Sequence, residues 1–336
     1  MVREDHPPVA THLRSVRDRI GIFTDATDSV DALTKIREAE QAGVQQVWAQ
    51  SAGNADLLTV FAVVAAQTER IRFGTAIVPT YPRHPLVMAQ QVLAVHDFAP
   101  GRLRLGIGPG NPMLIENWYG LSQTAPLTHL KEYLEILRDV LGKGAISYQG
   151  KFFRVEHTSR NAYGPTAPRI APVPLLTSAV GLKAFRLAGE VADGAISWMC
   201  PVPYLLESAL PELRAGAEAM GRPAPPVIAH VRVALSTDEA AVRAKARQGV
   251  QIAARFGPYA RMFAKAGFSR AIDGDEGEID ALAQTLVVSG AEAVVRYRLE
   301  ELLTSGLDEL MLHLMPIVDE ASERKQLLHL IGSLKA

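Results

Sequence analysis

Short apolar runs alternate with longer amphipathic stretches along almost the whole chain. IGIF (20–23), VQQVW (44–48), the run from Ile71 to Val78, LRLGIG (103–108), VPLLTS (173–178), GAISWM (194–199), VIAHVRVAL (227–235) and LDELMLHLM (307–315) are short and rich in β-formers, and they predict strands. Helical patterns follow them over 28–42, 55–67, 86–98, 126–141, 180–190, 203–220 and 291–305. The first is opened by Asp28 or Ser29 as a cap and closed by Gly43. ISYQGKFFRV (146–155) predicts two short strands about Gln149–Gly150 that leave the main sheet, and 157–172 is loop-like. Residues 238–288 hold helical stretches broken near Gly257–Pro258 and Asp273–Gly277. Strand followed by helix, eight times over, is the count of a (β/α)8 TIM barrel of the α/β class. No composition break divides it, so residues 1–336 are expected to form one domain. It would carry an N-terminal extension at 1–19 and insertions at 143–172 and 238–288 near the barrel mouth.

Composition narrows the partners. A chain of 336 residues that is 48% hydrophobic can bury a core of that size. Its 35 basic and 36 acidic residues give a net charge of −1, which offers no field for nucleic acid or a membrane surface, so a small-molecule substrate is expected. The single cysteine, Cys200, excludes an internal disulfide and a cysteine metal cage. The N-terminal residues are charged and proline-bearing where a signal peptide needs an apolar core, and no run reaches membrane length; a cytoplasmic protein is expected.

In a TIM barrel the active site lies at the C-terminal ends of the strands. Those positions are Gln50 and Ser51, Ala76 to Tyr81, Gly108 to Asn111, Ser178 to Gly181, Trp198 to Cys200, and His313 to Pro316. They are poor in acids and bases, and HExxH, GxSxG and Walker patterns are absent, which points away from hydrolysis and kinase-type chemistry and toward a borrowed cofactor. Gly74 inside the third strand marks a bulge or a close approach. Gly108 and Gly110 in IGPGNP let backbone come near a flat ligand, and Gly181 before LKAFRLAGE opens a helix whose free amides, with Lys183 nearby, could meet a phosphate. Each also suits an ordinary turn. His84 suits a helix cap, a phosphate-steering role or a plain turn, Asp193 a turn rather than a catalytic base, and the arginines of 241–261 a solvated helix face or anion capture. Trp198 and His313 either wall the mouth or pack beneath it.

The run RIRFGTAIVPTYPRHPLVMAQQVLAVHDFAPGRLRLGIGPGN, then KEYLEILRDVL, then FRLAGEVADGAISW, resembles the luciferase-like flavin and deazaflavin oxidoreductases, most of all their coenzyme F420-dependent branch. The resemblance implies a non-prolyl cis peptide at Ala76–Ile77 backing the cofactor ring. It puts Gly108, Pro109, Gly110 and Asn111 beside the ring and ribityl chain, and the amides of Ser178, Ala179, Val180, Gly181 and Leu182 around the phosphate. Gln50, Ser51 and Trp198 fall on the substrate side. Where many of these enzymes carry Asp-His after the second strand this chain reads WAQSAGN, so no catalytic side chain is assigned. The implied activity is hydride transfer between F420 and an organic substrate. The alternatives are an FMN-dependent monooxygenase and a non-catalytic flavin-binding scaffold. Helices 55–67 and 86–98 carry more Ala, Val and Leu than one buried stripe needs, which predicts a homodimer.

Overall fold

The computed structural model describes residues 15–50, 55–158, 160–161 and 164–335. Eight parallel strands close into a barrel: β1 (Ile20–Phe23), β2 (Gln46–Ala49), β3 (Arg72–Thr75), β4 (Leu103–Gly108), β5 (Leu175–Ala179), β6 (Gly194–Ser197), β7 (Val227–Ala234) and β8 (Glu309–Leu314). Each pairs with the next, β4 with β5 at Leu176↔Gly106, and β8 returns to β1 at Gly21↔Met311. The strands are buried on both faces, as a helix-covered parallel sheet requires. Alternation divides them. Phe23, Trp48, Leu176, Ile196, Ile228 and Met311 fill the barrel interior, while the opposite faces join one continuous core with the surrounding helices.

The helices are α1 (Ser29–Gln41), α2 (Leu57–Gln67), α3 (Pro85–Phe98), α4 (Pro112–Tyr119), α5 (Pro126–Lys143), α6 (Leu182–Val191), α7 (Leu210–Ala219), α8 (Glu239–Ala254), α9 (Gly257–Lys265), α10 (Glu276–Thr285), α11 (Glu292–Thr304) and α12 (Glu320–Gly332). Local chemistry opens many of them. Asp28 accepts from the N–H groups of Val30 and Asp31, Asp56 from that of Thr59, and His84 Nδ1 from that of Leu86, with Pro85 in the first turn of α3. Asp193 is structural: its carboxylate accepts from the Leu175 N–H and pairs with Arg138. Among the described residues no helix is long and apolar enough to cross a membrane.

Four details depart from the pattern in the sequence. The third apolar run splits into β3 and a two-residue strand, Val78–Pro79, that pairs with β4. Gly74 makes room for neither a bulge nor a ligand but for the Trp48 indole, to which an added Cβ would come within 2.3 Å. The helix expected over 203–220 contains a π turn at Leu205–Ala209. The excursion 238–288 runs into a strand, Val287–Ser289, parallel to β7. Because β6 stops at Ser197 while β7 continues to Ala234, the upper edge of β7 lacks a barrel partner, and Val287–Ser289 covers it. The excursion at 146–157 is an antiparallel hairpin outside the barrel sheet.

Candidate functional site

At the C-terminal end of the barrel lies a cavity of about 750 Å³, within the range of roughly 300–1,000 Å³ common to small-molecule sites. Its floor is Ala76, Ile77 and Ile196, and one wall is the loop after β4, Pro109 to Asn111, running into α4. The opposite wall is Ser178, Val180, Gly181 and Leu182, where β5 passes into α6. The Ala76–Ile77 peptide is cis. Gly110 has φ +78°, a left-handed conformation that favours glycine, and Gln123 Nε2 pins the loop by donating to the carbonyls of Pro109 at 2.7 Å and Gly110 at 3.2 Å. Asn111 Oδ1 caps α4 at Met113 N–H, which leaves its amide nitrogen for other partners.

The start of α6, like those of α5, α7, α9 and α11, carries no side-chain cap, and it is one that opens onto the cavity. Gly181 is its N-cap, no side chain caps it, and the N–H groups of Leu182 and Lys183 meet no acceptor among the described residues. Ser178 does not reach them, and the buried hydroxyl of Thr177 finds no partner either. Tyr204 donates its hydroxyl to the Val180 carbonyl at 3.0 Å and holds the turn open. Lys183 shares the cavity wall with Arg261 and Lys265, four residues apart on one face of α9.

Most of the positions expected from sequence therefore converge. Gln50, Ala76, Ile77, Pro109, Gly110, Asn111, Ser178, Val180, Gly181, Leu182 and Trp198 line this one cavity. Two lie behind it. Gly108 ends β4 beneath Ser178, whose Oγ would lie 2.2 Å from an added Cβ, and Ala179 is buried in the core around the barrel. Ser51 lies outside the described residues. The α4 and α9 walls carry residues sequence reasoning missed, among them Trp118, Tyr119, Tyr259, Arg261 and Lys265. Asn-Pro before PMLIENWY was the available signal for α4, since Asn caps and Pro starts a helix.

Trp198 is a cavity wall held from behind. Its ring stacks on His230 with centroids 3.9 Å apart, and His230 continues to His313 and Asp25. The Met199 N–H donates to His230 Nδ1 at 3.3 Å, so His230 carries its proton on Nε2 and donates to His313 Nδ1 at 3.1 Å. His313 must then carry its proton on Nε2, where it donates to Asp25 Oδ2 at 2.7 Å. Burial, with the charges of His313 and Arg232, holds His230 well below its ordinary pKa, which keeps this ring neutral. Burial alone would raise the Asp25 carboxyl, but the hydrogen bond from His313 and the charges of His313, Lys35 and Arg324 outweigh it and hold the group below its usual value. His313 thus packs behind Trp198 and does not line this cavity, and no sequence motif marks its partners.

The profile of the luciferase-like monooxygenases matches residues 20–309. The chain belongs to the luciferase-like monooxygenase family. It is similar to a candidate coenzyme F420-dependent oxidoreductase of Mycobacterium tuberculosis, with 30% identity over 50% of either chain, so the match spans half that relative's length. It is 27% identical to the 5,10-methylenetetrahydromethanopterin reductase of Methanolobus tindarius, over 81% of this chain and 86% of that one. Among solved structures, an F420-dependent secondary alcohol dehydrogenase bound to an F420–acetone adduct superimposes with a TM-score of 0.76 at 15% identity, over 95% of this chain and 99% of that one. At that identity the likeness is one of fold, the (β/α)8 barrel.

Proposed function

We propose that the protein is a coenzyme F420-dependent oxidoreductase that moves a hydride between the deazaflavin and a small organic substrate. The observation that carries this reading is the position of the α6 start, where the free amides of Leu182 and Lys183 open onto a cavity of about 750 Å³. F420 is preferred to FMN because the curated relatives it matches include a candidate coenzyme F420-dependent oxidoreductase.

Bound there, the deazaflavin would supply a carbon centre that gives or takes two electrons and a proton as hydride. The amides at Gly181 to Lys183 suit its phosphate, favoured further by the dipole of α6. Ala76, Ile77 and the Pro109–Gly110 backbone present close, largely apolar surfaces to a ring, and fix its position. Gln50 and Trp198 bound the space left for substrate. His313, with Nδ1 accepting from His230 and Nε2 donating to Asp25, lies behind Trp198 and holds that wall in place.

Titration of the purified protein with F420 and separately with FMN, followed by fluorescence and absorbance, tests the reading. Saturable binding of F420 in preference to FMN is expected. Preference for FMN would replace this reading by a flavin-dependent monooxygenase, and binding of neither would leave a scaffold without a cofactor.

We further propose a homodimer formed through α2 and α3. Val63 and Val87 are each 45% exposed and Phe98 is 61% exposed on these helices, although most of their other apolar residues are buried. Light scattering at micromolar concentration should give twice the chain mass of 36.4 kDa. A monomeric mass would remove this interface.

A further inference from the structure

A second, smaller cavity of about 270 Å³ opens beside the first. Phe23, Trp198 and His313 form the partition. Phe23 and His313 line the small cavity, Trp198 lines the large one, and the Trp198 ring centroid lies 5.0 Å from that of Phe23 and 5.6 Å from that of His313. Besides Leu314, Met315 and Pro316, the rest of the small cavity is charged: Asp25, Lys35, Arg232, Lys245, Glu320 and Arg324.

Arg232 is the unusual member. Ile228, His230 and Arg232 alternate along the inward face of β7, so the sequence places a guanidinium at the top of a barrel interior. It is half-buried and meets no hydrogen-bond or ion-pair acceptor among the described residues, and burial lowers its pKa. The nearest feature of α8 is Gly249, where an added Cβ would lie 2.3 Å from Arg232 Nη1; the absent side chain leaves room for the guanidinium. One turn earlier on α8, Lys245 reaches the same cavity and donates to the Pro316 carbonyl. From the other side comes Arg324, only 7% exposed, whose Nε is buried without a hydrogen-bond partner. Lys35 pairs with Asp31 at 3.1 Å and Arg324 stands 4.0 Å from Glu38, so Arg232 and Lys245 are the cavity cations without a carboxylate among the described residues, and two carboxylates line the cavity with them. Of these, Asp25 is occupied by His313, and Glu320 has a side chain 62% exposed and stands 3.9 Å from Lys35.

A half-buried guanidinium that opens its N–H groups to a cavity without a protein acceptor suits an oxyanion, which can accept two parallel N–H bonds from it. We propose that this cavity is an anion subsite of the active site, so that the substrate is a small organic acid or phosphate ester. Its carboxylate or phosphate lies against Arg232 and Lys245, and its reacting carbon reaches past Trp198 toward the large cavity. The substrate assignment rests on the large cavity being the cofactor site. The acidic tail of the deazaflavin is a second source of the same chemistry.

The test is calorimetric titration, without cofactor, of succinate and of inorganic phosphate into the wild type and into Arg232→Met and Lys245→Met. Arg232 makes no hydrogen bond to the fold, so Arg232→Met should melt as the wild type does. Saturable binding of either anion, weakened at least about tenfold by Arg232→Met, is expected, and which anion binds tells carboxylate from phosphate. Absence of binding, or binding untouched by both substitutions, overturns the subsite. F420 titrated into the same proteins separates the two sources. Unchanged F420 affinity in Arg232→Met supports a substrate group, whereas a loss of tenfold or more assigns the cavity to the cofactor tail and overturns the substrate proposal. Because the anion titrations contain no cofactor, failure of the large cavity to bind F420 would be seen separately.

Discussion

Replacing Glu309 with alanine is expected to destabilise the barrel by about 3–5 kcal/mol. Arg104 of β4 and Glu309 of β8 meet inside the barrel toward the N-terminal ends of the strands. Their side chains are 10% and 2% exposed, with Nη1 to Oε2 at 2.5 Å and Nη2 to Oε1 at 2.9 Å. Gln46 Oε1 of β2 accepts from the same Nη1 at 2.9 Å, and the guanidinium lies 4.9 Å from the Trp48 ring centroid. The forked geometry satisfies both carboxylate oxygens, which is what makes an ion pair tolerable away from water. Alanine removes the carboxylate that Arg104 meets among the described residues and leaves the guanidinium buried with the neutral acceptor of Gln46. The cost is therefore that of an uncompensated charge, larger than the pair's net contribution. Arg104→Met added to Glu309→Ala should recover much of the loss, since apolar residues of similar volume often replace a buried pair without penalty. Urea unfolding measures both, and a loss below about 1 kcal/mol for Glu309→Ala would place the pair with solvent-exposed ones.

The strands were legible because barrel strands are short, apolar and separated by helices with their own period, and the mouth follows from the fold once the strands are placed. The position of Gly74 was legible as a close approach, but not what approaches, since Trp48 comes from the neighbouring strand at the paired position. The same limit explains the rest. Asp25 meets His313 across 288 residues, and His230 meets it across 83, pairings created only by barrel closure between β7, β8 and β1. Nothing local in VIAHVRVAL distinguishes an inward histidine and arginine from outward ones until the register with β8 fixes which face is inside. The α9 wall was invisible for another reason: its arginine and lysine also suit a solvated surface, and only packing over the mouth turns Arg261 and Lys265 toward the cavity.

Gly181→Glu should reduce deazaflavin affinity by at least about 100-fold, or ~2.7 kcal/mol, while the protein remains folded. The fold has no need of glycine here. Its φ of −89° and ψ of 158° are open to any residue, and an added Cβ would find no atom within 4 Å. That emptiness is on the cavity side, where Gly181 forms part of the wall. A glutamate would bring a negative charge to the N–H groups of Leu182 and Lys183 and could cap the helix itself, which leaves the melting temperature unchanged or raised. It would then hold the volume and the donors that a phosphate needs, and repel the phosphate's charge. Gly181→Ala separates volume from charge: one methyl in open space should leave affinity within about threefold of wild type. Fluorescence titration beside a thermal melt reads both quantities. If Gly181→Glu stays folded and binds F420 as the wild type does, the free amides of α6 serve something other than the cofactor phosphate.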